Sequence, residues 1–243
     1  MKKSPSNSSL PTTPNILAIE ASANQLSIAV LIRDEVVAER RHLAAHGHAV
    51  GIVPLAIETI NAAGVTFNAM THIAAGCGPG SFTGIRVALA AAKGFCIAHQ
   101  AIGIGVSGLQ ALAHAASHAA ADITMPCLVL ADTRRGPLYA QIFDARAQPM
   151  STILETSINH LLQLIDAKIF ASGLRVIGMK RMAVADALDR AGIITDLPAI
   201  DEMPSASMVA RLASEQIVQH QTAPLHPIYL ADPRLGTKKE SGR

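Results

Sequence analysis

The 243-residue chain contains no tryptophan, two tyrosines and five phenylalanines. So few aromatic rings leave few platforms on which the bases of a nucleic acid could stack. Net charge is also small, since 20 Lys and Arg against 18 Asp and Glu give +2. That balance argues against a broad nucleic-acid surface and leaves only local patches, such as Lys180, Arg181 and Lys238-Lys239. The three cysteines, Cys77, Cys96 and Cys127, are odd in number, widely spaced and without a C-x-x-C pair. They fit neither a disulfide framework nor a zinc site, and read as reduced thiols of a cytoplasmic protein. Polar or charged residues interrupt every apolar segment before it could span a bilayer, so no membrane partner is expected. Residues 1–14 carry Lys2 and Lys3 with no apolar stretch behind them, which is not the pattern of a secretion signal. They are expected to form a disordered leader, and residues 237–243 a loose tail.

Half of the residues are apolar, enough for a substantial core. Ile16 to Glu20, Leu26 to Arg33 and Glu35 to Arg40 read as strands, separated at hairpin distances by Ser22-Ala23-Asn24 and Arg33-Asp34. Val50, Val53, Ile57 and Ile60 keep a helical spacing over Ala49 to Ala63, which ends at Gly64. Strand Thr71 to Ala75, helix Gly84 to His99, strand Ile102 to Val106 and helix Gly108 to Ala120 follow. A second cycle starts at Pro126, with strands Cys127 to Ala131, Leu138 to Phe143 and Ser151 to Leu154. Helix Ser157 to Asp166, strand Lys168 to Ala171 and helices Met182 to Ala191 and Ala206 to His220 complete it. Two units of hairpin strands followed by alternating helices and strands predict a duplicated α/β architecture. The order matches the actin-like (ASKHA, ribonuclease-H-like) unit, with expected lobes at 15–122 and 123–236, the second shortened.

Between the fourth strand and its helix lies Gly76-Cys77-Gly78-Pro79-Gly80-Ser81-Phe82-Thr83-Gly84-Ile85-Arg86. Such a turn brings backbones close together, and Ser81 or Thr83 can cap the helix that follows. Its exposed amides could equally hold an anion. The loop is not a P-loop, because the required lysine is missing, and it does not match G-x-G-x-x-G, because Ser81 stands at the third glycine.

The run Gly78 to Arg86 resembles the TsaB (YeaZ) family. So do Ile16 to Glu20, Gly103 to Leu112, Asp132 to Gly136 with Tyr139, and Pro227-Ile228-Tyr229-Leu230, in that order. The resemblance covers the chain from Ile16 to about Leu235. It implies a subunit of the bacterial machinery that places threonylcarbamoyl on N6 of adenosine 37 in tRNAs reading codons that begin with A. In that machinery TsaC makes the threonylcarbamoyl-AMP, TsaD transfers the group and TsaE supplies an ATPase. A TsaB protein supports TsaD as a pseudo-symmetric partner. The resemblance therefore implies a non-catalytic scaffold that pairs with TsaD, meets TsaE and tRNA only through the complex, and pairs with itself when TsaD is absent. No cofactor is implied for the isolated chain, although an adenine nucleotide could be shared at the junction with TsaD.

The candidate chemical groups agree with a scaffold. Glu20-Ala21-Ser22-Ala23-Asn24-Gln25 stands where actin-like ATPases use a glycine-containing phosphate hairpin, and where many TsaB relatives carry Asp-Thr in place of Glu20-Ala21. His114 and His118 have chelating spacing on a helix but no adjacent Glu and no evident third ligand, so they read as solvent-facing. His42 and His46 carry Leu43 where a zinc peptidase needs Glu beside its first histidine, and His48 reads as a capping or partner residue. Ser81 is not in a G-x-S-x-G elbow. Asp132, Arg134 and Tyr139 form a polar cluster in which Asp132 is either a catalytic carboxylate or a turn former. Small residues let these two helices pack closely on their own sheet or on a partner, and the resemblance implies that the partner is met at Ala49, Val53, Ala56, Gly84, Ala88, Ala91, Ala92 and Phe95. The competing reading is an actin-like enzyme, either an ATP-dependent kinase or a TsaD-like metal-dependent transferase or peptidase. A direct tRNA-binding module is a third.

Overall fold

The computed structural model describes residues 13–43, 48–119, 124–133, 135–165, 170 and 172–230. Strands β1 (Ile16–Glu20), β2 (Gln25–Ile32) and β3 (Glu35–Leu43) form an antiparallel meander. Helix α1 (His48–Ala62) leads through a short 3-10 turn to β4 (His72–Gly76), then α2 (Phe82–His99), β5 (Ile102–Val106) and α3 (Gly108–Ala119). Strands β4 and β5 run parallel to β1, giving the sheet order β3-β2-β1-β4-β5.

The second sheet repeats this plan. Strands β6 (Cys127–Asp132), β7 (Leu138–Phe143) and β8 (Leu154–Thr156) form the meander, and α4 (Ile158–Leu164) follows. Then come β9 (Leu174–Gly178), α5 (Arg181–Arg190), β10 (Thr195–Asp196) and α6 (Ala206–Val218), in the order β10-β9-β6-β7-β8. The repeat has its full set of strands, and the shortening falls on β8, α4 and β10. The strand expected at Lys168 to Ala171 is instead β9, further along the chain. Lys168, Ile169 and Ala171 lie outside the described residues.

Burial explains why β1 and β2 read as near-continuous apolar runs. Leu17, Ile19, Leu26, Ile28 and Val30 point to one face of the sheet, where Ile52, Ala56 and Ile60 of α1 and Ile85, Ala88, Leu89 and Ala92 of α2 cover them. Ile16, Ala18, Ala29 and Leu31 point to the other face and meet Val209, Ala210, Leu212 and Ala213 of α6. A strand covered on both faces has no polar side to show.

By sequence α6 belongs to the second lobe, yet it packs on the first sheet. Its N-terminal amides are held there, the Ala206 N–H donating to Ser27 Oγ at 2.8 Å and the Ser207 N–H to Glu39 Oε1 at 3.1 Å. Conversely, Leu109, Leu112, Ala113 and Ala116 of α3 pack on Val129, Phe143 and Ile177 of the second sheet. The two halves exchange their last helices, and α3 and α6 lie against each other between the sheets. No described helix is long and apolar enough to cross a membrane.

Candidate functional site

The glycine loop after β4 folds back onto the β1–β2 turn, and most of its glycines answer to that contact. A Cβ on Gly76 would fall 1.8 Å from the Glu20 carboxylate, on Gly80 2.3 Å from the Ser22 carbonyl oxygen, and on Gly84 2.0 Å from the Ala21 carbonyl oxygen. The Ser81 N–H donates to that same Ser22 oxygen at 2.7 Å. Ser81, rather than Thr83, caps α2, its Oγ accepting the Gly84 N–H at 3.2 Å. Backbone approach, not an anion, thus accounts for the small residues of this loop.

Glu20 is fully buried beneath it. Its Oε1 accepts the Ser22 N–H at 2.5 Å, while Oε2 has no hydrogen-bond partner. Burial pushes its pKa up, outweighing the lowering by its hydrogen bonds to Ser22 and Ala21. A carboxyl group with a raised folded pKa contributes most to stability below its ordinary value, and that contribution is lost as pH rises through the folded value. Glu20→Gln should therefore match the parent chain near pH 4 and become the more stable of the two as pH rises. The gap should widen by at most about 1.4 kcal/mol per pH unit until the folded pKa is passed. Thermal melts of both chains from pH 4 to pH 8 test this, and parallel curves would show that Glu20 ionises freely.

Between the lobes lies a cleft lined by Ser22, Asn24, Gly80, Leu112, Asp132 and Met203, among others, with a cavity of about 40 Å³. Ligand pockets run to hundreds of cubic ångströms, several times this volume. The segment before α6 closes it, tied down by the Gln25 amide, which donates to the Pro204 carbonyl oxygen at 2.8 Å.

The residues expected to face a partner divide sharply. Ala56, Gly84, Ala88 and Ala92 are buried against the first sheet and cannot touch a partner, because small residues are what lets these helices lie close to it. Val53 is exposed, and Ala91 and Phe95 are partly so. The Ala49 side chain lies outside the described ones. The outward stripe of α2 is instead Phe82, Arg86, Ala90, Lys93 and Ile97, spaced three or four apart, with Ile97 83% exposed. Beside it α1 presents Val53 and Ile57. At the end of the stripe, the Arg86 guanidinium lies 3.7 Å from the Phe82 ring centroid, and its Nε donates to Tyr229 Oη at 2.8 Å. Two family motifs distant in sequence, Gly78 to Arg86 and Pro227 to Leu230, therefore meet on one surface.

The polar cluster comes apart. Asp132 pairs across the hairpin with Leu138, whereas Tyr139 pairs with Ala131, so Asp132 and Tyr139 stand on opposite faces of the sheet. Tyr139 Oη accepts from Arg135, which also pairs with Glu155 at 3.2 Å, while Arg134 lies outside the described residues. His42 is exposed on β3. His46 and the His48 side chain lie outside the described residues. His114 is not solvent-facing: it is 7% exposed and meets Glu215 of α6, a partner 101 positions away that its local sequence gave no sign of.

Comparison with known proteins bears directly on this arrangement. A family model described as TsaD: tRNA N6-adenosine threonylcarbamoyltransferase matches residues 32–224. The Haemophilus influenzae protein named tRNA threonylcarbamoyladenosine biosynthesis protein TsaB is 36% identical over 101 residues, 42% of each chain. The Escherichia coli protein of the same name is 31% identical over 124 residues, 51% of this chain and 52% of that one. The chain thus spans about half the length of the curated relatives it matches. A Pseudomonas aeruginosa structure, of a protein with similarity to peptidase YEAZ, superimposes with a TM-score of 0.74 at 21% identity, over 90% of this chain and all of that one. The shared fold is the α/β, actin-like one expected from the element order. On the span of the family model the chain belongs to the TsaD family, and over about half its length it is similar to proteins named TsaB.

Proposed function

We propose that this chain takes part in tRNA threonylcarbamoyladenosine biosynthesis as a non-catalytic subunit that docks on TsaD. The observation carrying this reading is the apolar surface of α1 and α2. Val53, Ile57, Phe82 and Ile97 lie 42–83% exposed on two helices that touch each other, and Phe82 packs on Arg86 and Tyr229. A folded chain has little reason to leave such large apolar side chains together in water unless a partner covers them.

The interlobe cleft supports the non-catalytic part of the reading. A nucleotide needs backbone amides turned toward its phosphates, as well as room. Here the β1–β2 turn carries side chains at Ser22, Ala23 and Asn24, its Ser22 carbonyl is engaged by Ser81, and the cavity is about 40 Å³. The residues present do not fit a nucleotide in the cleft, and a nucleotide shared at the junction with TsaD is left as the place for one. On this reading, tRNA and TsaE are met through TsaD, and the chain pairs with itself when TsaD is absent.

Mixing the purified chain with TsaD of the same organism, with light scattering to weigh the species and a parallel assay of threonylcarbamoyl transfer to tRNA, tests the proposal. A one-to-one complex, active only when both chains are present, is the expected result. Transfer or ATP turnover by this chain alone would favour the enzyme reading, and no complex would remove the docking surface.

A further inference from the structure

Away from the cleft, the C-terminal turns of the two exchanged helices, α3 and α6, converge on an open groove. Among the described residues, His114, His118 and Glu215 place one ligand atom each within 4.8 Å of one another. We propose that these three residues form a zinc-class divalent metal site that ties α3 to α6.

Each ligand is held in a form that can bind. His118 Nδ1 lies 2.9 Å from the His114 carbonyl oxygen, which fixes its proton there and leaves the Nε2 lone pair free. A backbone carbonyl on the far nitrogen is the usual support of a metal-bound histidine. Glu215 Oε1 accepts from the Gln219 side-chain amide at 2.7 Å, which aims Oε2 at His114 Nε2, also 2.7 Å away. In that contact His114 Nε2 carries the proton, and binding a metal there needs the proton moved to Nδ1. Two ligands at ~2.05 Å from a tetrahedral ion stand ~3.3 Å apart, so His114 and Glu215 need separate by only about 0.6 Å.

The surroundings favour a cation. The carboxylates of Asp34 and Glu215 face the groove against the single guanidinium of Arg211, and two helix C-termini add partial negative charge. The groove has a volume of about 340 Å³ and gives water access to a fourth coordination position. Two histidines and one carboxylate, with that position open, suit zinc over magnesium or calcium, which take oxygen ligands. The His114 and His118 rings lie on the same side of α3, their centroids 4.2 Å apart.

The test uses the untagged full chain stripped with a chelator, titrated with zinc chloride in a calorimeter and melted with and without zinc. One zinc per chain and a raised melting temperature are expected. His118→Ala and Glu215→Gln should each weaken binding by at least about tenfold, whereas His160→Ala, an exposed histidine on α4, should leave it unchanged. His118 is exposed, and the amide introduced by Glu215→Gln would still accept a hydrogen bond from His114, so both variants should keep the fold. No saturable binding overturns the proposal. So does binding of full strength in His118→Ala, as would occur if His42, His46 and His48 held the zinc.

Discussion

Ile97→Glu is expected to fold like the parent chain and to lose the proposed docking on TsaD. Ile97 is 83% exposed, so a carboxylate there meets water in the free subunit and should leave circular dichroism and thermal stability unchanged. In a complex that covers the α1–α2 face, the same carboxylate would be stripped of water without a partner charge. Truncating or unbalancing a buried charge at an interface costs about 2–5 kcal/mol, which weakens association by roughly 30-fold to several thousand-fold. Val53→Glu tests the same surface from α1. Met150→Glu, on an exposed residue of the second lobe, should leave the complex intact. Full-strength binding by both Ile97→Glu and Val53→Glu would place the partner elsewhere. The buried neighbour Ala92 is unsuitable for this experiment, because a charge there would unfold the lobe and abolish pairing for a trivial reason.

The contrast between Ile97 and Ala92 shows where sequence reading reached its limit. Strands β1, β5 and β7 are legible to the residue, since their apolar runs are too short for helices and are bounded by turn or polar residues. The duplicated order of elements was legible too. Which way a helix faces was not. In α2 nearly every residue is small or apolar, so hydrophobic periodicity does not set the phase, and only the packing on β1 and β4 shows that Ala88 and Ala92 turn inward. The exchange of α3 and α6 was hidden for a related reason: an apolar stripe records that a helix is covered, not by which sheet. His114 and Glu215 meet across a contact made by that exchange, so their pairing could not be read before it. The motif loop was legible as a tight turn, and its purpose was not, because what its glycines avoid is the backbone of Ala21 and Ser22, more than 50 residues earlier.

That purpose can be measured with two glycines of one helix, where opposite results are expected from the same substitution. Alanine is the better helix former, so Gly→Ala within α2 gains about 0.5–1 kcal/mol if nothing obstructs the new methyl group. At Gly94 a Cβ would meet nothing within 4 Å, and Gly94→Ala should raise the melting temperature by about 1–4 °C. At Gly84 it would stand 2.0 Å from the Ala21 carbonyl oxygen and 3.3 Å from Ser81 Cβ. The obstruction is backbone that cannot swing aside as a side chain would, and the Ser81 cap and the β1–β2 turn must move with it. Overpacking of this kind costs about 3 kcal/mol or more, several times the helix gain, so Gly84→Ala should lower the melting temperature by roughly 6–12 °C. If the motif glycine were instead kept free for a ligand's approach, Gly84→Ala would leave stability near that of the parent and weaken only binding. A loss of stability in the free subunit, alongside the gain at Gly94, assigns the glycine of the family motif to holding α2 against the β1–β2 turn. From that position α2 presents Phe82, Arg86 and Ile97 outward as one surface.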